Sequence, residues 1–263
     1  MKKAGKIWII GILICLEIIL LPWQVYGEEV QEPDSLYALS AVLMDGDSGR
    51  VLFEKNGEEQ RPMASTTKVM TCILVLESGR TGETAQTSAY AASMPEVHMG
   101  AREGESYGVR DLLYALMLES YNDAAVILAE HIGGSTEGFA DMMNEKAREI
   151  GCEDTWFITP NGLDAQAETE EGVKIHSTTA EDLARILRYC IRESSAREEF
   201  LEITRTPSYT FTDSSGNKTI SCTNHNAFLS MMEGALTGKT RFTADAGYCY
   251  VGALEREGKT LIV

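Results

Sequence analysis

The sequence predicts a mixed fold of the α+β type: an antiparallel sheet assembled from both chain ends, with helices packed around it. Three observations carry this. Short strand-like runs open the chain after residue 35, helical periodicity fills residues 63–194, and strand-like runs return after residue 200. No internal repeat or low-complexity segment interrupts the pattern.

At the front, "LYALSAVLMDGDSGRVLFEKN" (residues 36–56) reads as two strands around a Gly-Asp-Ser-Gly turn. "MASTTKVMTCILVLE" (63–77) is apolar on nearly every face from residue 69, the mark of a buried helix. Residues 80–107 carry Gly, Ser and Pro breaks and read as loop. "GVRDLLYALMLES" has helical spacing and stops near Ser120, and "NDAAVILAEHIGG" is a second helix ended by glycines. "STEGFADMMNEKAREIG" opens on Ser135, has Glu137 in its first turn and closes on Gly151. In "TTAEDLARILRYCIRES", Thr178 or Thr179 caps a further helix with acids in its first turn. The late strands are "SYTFTD", "KTISCT", "ALTGKTRFT", "AGYCYVGALE" and "KTLIV", separated by turns such as "SSGN" and "EREG". The last run reaches the final residue, Val263, which reads as truncation.

The first 27 residues read as an export signal. Lys2, Lys3 and Lys6 precede an apolar stretch over residues 7–21, and Gly27 offers a cleavage point. A retained anchor is the alternative, but the apolar run is short for a spanning helix. The chain carries a net charge of −17, and loss of the leader would leave 20 basic and 39 acidic residues, a net of −19. Such acidity argues against nucleic acid or anionic lipid as partner. The 236 residues from 28 to 263 suffice for one large domain. The five cysteines beyond the leader (Cys72, Cys152, Cys190, Cys222, Cys249) form no C-x-x-C pair, which disfavours a zinc site or a disulfide framework. Cys72 and Cys190 read as core, and a Cys222–Cys249 bridge stays open. The four histidines lack metal-ligand spacing, so no metal or cofactor is expected. Asn217-Lys218-Thr219 matches a glycosylation acceptor but reads as part of a hairpin turn.

Ser65 and Lys68 stand three apart at the mouth of the apolar helix and so share one face. A serine hydroxyl attacks only when a base takes its proton, and a lysine is such a base only when neutral. Burial and a nearby cation both favour the neutral form. The helix N-terminus favours a developing oxyanion. Taken alone, S-x-x-K is equally a capping serine beside a solvated lysine. Further on, "ESYND" places Ser120 and Asn122 at the break between two helices, where both also suit capping, and "TGKTRFTADAGY" places Lys239 and Thr240 on a late strand.

In this order, S-x-x-K, S-x-N and K-T, the chain resembles the penicillin-recognising serine enzymes, and within them the low-molecular-weight D-alanyl-D-alanine carboxypeptidases. "PMASTTKVMT", "PNGLD", "HSTTAEDLA" and "AGYCYVGA" match the surrounding family pattern, and the resemblance covers roughly residues 35–263. It implies a sheet with helices on both faces plus a helical lobe, the site lying at their junction. It also implies removal of the terminal D-alanine from peptidoglycan stem peptides through an acyl-enzyme, with β-lactam antibiotics acylating the same serine. Ser65 would be the nucleophile, Lys68 its base and Ser120 a proton relay to the leaving amine. Asn122 would bind the substrate's peptide carbonyl. Lys239 would hold a positive charge near Ser120, and Thr240 would bind the terminal carboxylate. The backbone N–H groups of Ser65 and Phe242 would form the oxyanion hole. Often a β-rich domain and an amphipathic anchoring helix follow in the family. Neither is in this chain, so peripheral membrane association would depend on a region outside it.

One departure stands out. The family's third motif ends in Gly, and here that position is Arg241. The expectation is that Arg241 crowds the cleft and weakens acylation. The alternative is that it swings aside and adds a positive group near the substrate carboxylate. Three other readings compete. A β-lactamase of the same fold would need a water-positioning glutamate, and no E-x-x-x-N segment stands suitably after Ser120. A catalytically weak wall-binding protein and a cysteine hydrolase built on Cys152 and His176 complete the set. His176 itself reads as structural, bonding near the cap of its helix.

Overall fold

The computed structural model describes residues 32–170 and 172–263. The leader expected over residues 1–27 lies outside them. The chain divides into two compact units, Met1–Asp34 and Ser35–Val263, and the architecture below is that of the second.

The elements run β1 (Ala41–Asp45), β2 (Val51–Lys55), β3 (Arg61–Pro62), α1 (Lys68–Glu77), β4 (Thr84–Gln86), α2 (Ala89–Ala92), β5 (Ser106–Gly108), α3 (Val109–Tyr114), α4 (Asn122–Gly133) and α5 (Thr136–Ile150). They continue with β6 (Gln166–Thr169), β7 (Gly172–Ile175), β8 (Ser177–Thr178), α6 (Ala180–Arg188), α7 (Arg197–Arg205), β9 (Ser208–Thr212), β10 (Thr219–Thr223), α8 (Phe228–Met231), β11 (Ala235–Thr243), β12 (Gly247–Arg256) and β13 (Lys259–Ile262).

Both chain ends do build one antiparallel sheet, in the order β11-β12-β13-β1-β2. Two of the late strands stay out of it. β9 and β10 pair only with each other among the described residues, and the aromatic residues of β9 turn to α3 and to β5. Tyr209 stacks on Tyr114 at 3.8 Å, and Phe211 meets Tyr107 edge-on at 6.3 Å. Side-chain packing, which strand propensity does not encode, thus decides which sheet a strand joins.

The helical part is organised around α1. Every residue from Lys68 to Leu76 is buried, and the helix touches α4, α5, α6 and α7 at once. Neighbours on all sides are what its all-round apolar sequence requires. Caps form where the sequence places them: Ser135 accepts from the Gly138 N–H, and Thr179, rather than Thr178, accepts from the Asp182 N–H. The loop expected over 80–107 carries the short β4–β5 pair and α2. The exposed β6–β7 hairpin and the uncapped α7 were not expected from the sequence.

Among the described residues no helix is long and apolar enough to cross a membrane. The five cysteines from Cys72 onward are free, so the Cys222–Cys249 bridge does not form.

One close approach positions the rest. The Ala64–Thr67 turn leads into α1, and the 160–163 loop crosses it. Gly162 has φ +82°, and a Cβ there would sit 2.0 Å from the Ala64 carbonyl oxygen and 2.9 Å from the Ser65 nitrogen. Gly162→Ala is therefore expected to lower stability by at least about 2 kcal/mol in urea unfolding. Gly104 has a similar φ of +85° but open space around its missing Cβ. Gly104→Ala should cost only about 1 kcal/mol, the backbone contribution alone.

Candidate active site

The site forms where the Ala64–Thr67 turn, the break between α3 and α4, and strand β11 converge. β11 is the edge of its sheet, and it packs against the turn. An edge strand leaves alternate backbone groups unpaired with any strand, so β11 has donors and acceptors free for other partners.

Ser65 is 5 % exposed and Lys68 fully buried. The Lys68 amine lies 2.8 Å from Ser65 Oγ, and it donates to Asn122 Oδ1 at 2.9 Å and to the Asn161 carbonyl at 2.6 Å. Ser65 Oγ also lies 3.2 Å from that carbonyl. The loop is fixed one residue earlier, where Thr71 Oγ1 donates to the Pro160 carbonyl at 2.6 Å. Burial pushes the Lys68 pKa well below the ordinary lysine value, the charges of Lys239 and Arg241 push it further, and Asp123 opposes them. Leaving a lone charge in such an interior costs several kcal/mol, so the neutral amine is the favoured form.

The second segment is strained. The helix after α3 widens through Ala115–Glu119 and ends on Ser120 in the left-handed region, φ +67°. That conformation costs a serine about 1–2 kcal/mol. Ser120 Oγ is buried and has no hydrogen-bond partner among the described residues. Asn122 sits just beyond, its Nδ2 donating to the Pro95 carbonyl at 3.2 Å. Asp123 next to it holds the 97–101 loop, accepting from Met99 N and Ala101 N at 3.0 Å each.

On β11, Lys239 is buried, and among the described residues its amine bonds only to the Thr240 carbonyl, at 3.5 Å. Among the described residues no hydrogen bond joins Lys239 to Ser120. The Lys239 charge acts on Lys68, and its own pKa falls to about 7 through burial and the Arg241 charge, opposed by Glu119. Thr240 is half-buried opposite Tyr250. Phe242 is half-exposed and packs its ring on Tyr248 at 4.9 Å. Arg241 lies two residues from Lys239, hence on the same face of β11. It is half-buried, and its guanidinium has no hydrogen bond or ion pair among the described residues.

His176 is structural, but its partners are not those of its helix cap. Nδ1 accepts from Ile158 N at 2.9 Å, so the proton is on Nε2, which donates to Thr67 Oγ1 at 2.8 Å. Thr67 donates in turn to the Ala64 carbonyl at 2.8 Å, bracing a residue held at φ +47°. Cys152 is buried, its thiol directed to the Asp182 carbonyl, and burial raises its pKa. Among the described residues no hydrogen bond joins it to His176, which removes the basis for a cysteine hydrolase. Sequence reasoning assigned no role to the Asn161 carbonyl, Thr67 or Thr71. Only the Asn-Gly pair in "PNGLD" signalled a special turn there.

Comparison with known proteins gives the family and the fold. The family model described as D-alanyl-D-alanine carboxypeptidase matches residues 27–263. The chain belongs to this carboxypeptidase family. The D-alanyl-D-alanine carboxypeptidase DacF of Bacillus subtilis is 34 % identical over 226 residues, covering 83 % of this chain. The chain spans only 54 % of that relative's length. DacB2 of Mycobacterium tuberculosis is 33 % identical, covering 84 % of this chain and 72 % of its own. Among solved structures, a D-alanyl-D-alanine carboxypeptidase from Mycobacterium tuberculosis superposes with a TM-score of 0.78 at 32 % identity, over 90 % of this chain and 84 % of that one. Penicillin-binding protein D2 of Listeria monocytogenes in an ampicillin-bound form gives 0.72 at 30 %, over 88 % and 90 %. The antiparallel sheet with its helical lobe is thus the fold of this carboxypeptidase family.

Burial of neutral His176 has a measurable consequence. Its pKa falls from 6.5 to about 3 through desolvation. Between those values the unfolded chain binds a proton that the folded chain refuses. Stability therefore drops as pH falls through that window, by up to about 1.4 kcal/mol per pH unit, while above it this group contributes no slope. His176→Gln should make the fall in urea-unfolding stability between pH 6.5 and 4.5 shallower. Equal slopes in parent and variant would contradict the buried neutral ring.

Proposed function

We propose that this chain is an exported serine D-Ala-D-Ala carboxypeptidase of the cell envelope, removing the terminal D-alanine of peptidoglycan stem peptides, and that β-lactams acylate Ser65. The observation that carries the reading is the Lys68 amine, buried and surrounded by three oxygens, two of which are carbonyls that only accept. A neutral amine has two N–H bonds and one lone pair. Donation to Asn122 Oδ1 and the Asn161 carbonyl uses both N–H bonds. The lone pair is left for the proton of Ser65 Oγ, the third neighbour.

In this reading Ser65 Oγ attacks the carbonyl of the penultimate residue as its proton passes to Lys68. The oxyanion is met by the backbone N–H groups of Ser65 and Phe242. Ser120, buried and unpartnered, relays a proton to the departing D-alanine nitrogen, with the Lys239 charge nearby. Asn122 binds the substrate's peptide carbonyl and Thr240 its carboxylate. Water then releases the acyl group from Ser65. Relatives bear the name of this activity, and a related fold holds ampicillin. The mature chain would begin near residue 28.

Incubation with penicillin should add one penicillin mass to the intact protein, mapped to the peptide carrying Ser65. Ser65→Ala should give no adduct, and Lys68→Ala should slow acylation on the order of 10³-fold. An unlabelled parent, or label elsewhere, overturns the reading. Rapid loss of the adduct by turnover would instead favour a β-lactamase.

Arg241 supports a test of its own. It places a Cβ and a long cation on the face of β11 that carries Lys239, where the family has no side chain. Arg241→Gly should speed penicillin acylation several-fold at alkaline pH, where loss of the Arg241 charge matters least to the protonation of Lys68. An unchanged rate rejects crowding of the cleft.

A further inference from the structure

Glu119 belongs to none of the three motifs, yet it immediately precedes Ser120. Both of its carboxylate oxygens are engaged, one with the last residue of β10 and the other just beyond it. Oε1 accepts from Thr223 N at 2.6 Å, and Oε2 pairs with His225 Nε2 at 2.7 Å. The side chain is 16 % exposed, whereas that of His225 is 59 % exposed. Two groups flanking the carboxylate report its charge. The pKa values of Tyr121 and Cys222 rise to about 12, chiefly by burial and next through Glu119. Glu119 is also the carboxylate that offsets burial and Arg241 at Lys239.

The geometry points to Glu119 as the positioning residue of this site: its carboxylate clamps the strained Ser120 turn to Thr223 and His225 and sets a negative charge toward Lys239. The inference rests on the reading that Ser120 and Lys239 act on the leaving group. A serine held in the left-handed region relaxes unless its neighbours fix it. The clamp lies one residue away and joins the turn to a different element through two short charge-assisted bonds. The charge has a separate task. Lys239 is faced by Lys68 from α1 and by Arg241 on its own strand, both positive when protonated, while Asp123 acts on Lys68. Without Glu119 nothing negative among these groups favours the Lys239 ammonium, which is held at about 7 even with the carboxylate present.

Glu119→Gln and Glu119→Ala separate the two tasks. The Gln amide oxygen still accepts from Thr223 N and its amide nitrogen still reaches His225, but the charge is gone. Acylation by a fluorescent penicillin, resolved into binding and chemical steps across pH, is the measurement, with thermal unfolding alongside. Glu119→Ala should slow the chemical step on the order of 10²-fold with binding within a few-fold. Glu119→Gln should keep most of the rate at pH 6.5 but move the alkaline limb of the profile to lower pH, because Lys239 then loses its proton earlier. His225→Ala, at an exposed position, should slow the chemical step less than Glu119→Ala and should not add to it in the double variant. Parent-like rates in both Glu119 variants overturn the inference. So does a Gln variant that is as slow as the Ala variant with an unshifted alkaline limb, since that is a purely structural loss. A parent that penicillin does not acylate removes the enzyme reading itself and the positioning role with it, and that result appears before any substitution is made.

Discussion

The structure depends on a lysine amine placed where a charge cannot easily stay. Lys68 begins a helix whose next eight residues are all buried and which is surrounded by four other helices. The packing that makes the domain stable is therefore the packing that drives this amine toward its neutral form. Hydrogen bonding then determines what the neutral amine does. Two carbonyl oxygens, from Asn122 and Asn161, can only accept, so the nucleophile candidate Ser65 is the one neighbour with a proton to give. In the proposed reaction, core formation and activation of the serine are the same event viewed at two scales.

Holding that arrangement requires strain, and the strain sits in the residues that frame the amine. Ala64, just before Ser65, has φ +47°, and Ser120 has φ +67°. Neither is a glycine, so each is maintained by its surroundings. On one side His176 reaches through Thr67 to the Ala64 carbonyl, while Gly162 presses the loop against the same backbone. On the other side Glu119 ties the Ser120 turn to the end of β10. Both braces come from distant parts of the chain, which explains why three short motifs separated by some fifty to more than a hundred residues keep one geometry.

Much of this was legible in the sequence because it is local. The uninterrupted apolar run after Ser65, the stop at Ser120 and the Ser135 and Thr179 caps are each written within a few residues. Helix and strand periods convert such runs directly into elements. What escaped notice is non-local or carried by the backbone. The Asn161 carbonyl has no side-chain signature, although it receives the shortest of the Lys68 bonds. The β9–β10 strands read like members of the main sheet, yet Tyr209 and Phe211 commit β9 to α3 and β5. α7 lacks a side-chain cap, so its start left no mark. The resemblance implies a positive charge on Lys239 but not its hydrogen bonding, and among the described residues its amine reaches only the Thr240 carbonyl.

Arg241 shows how the same electrostatic problem can be met in two ways. The proposed base role requires a neutral Lys68, and the positive charges of Lys239 and Arg241 both push it that way. Lys239 itself titrates near 7. Above that pH it progressively loses its effect on Lys68. A guanidinium does not lose its proton in this range, so the Arg241 contribution persists. A glycine at position 241 would open space beside β11 but would leave Lys239 as the only cation of the strand acting on Lys68. The arginine therefore exchanges room in the cleft for a charge that does not depend on pH, and it also lowers the Lys239 pKa. Glu119 acts on Lys239 in the opposite direction. The protonation of the two lysines is thus set by a balance among groups on three segments, and none of them is settled by its own motif alone.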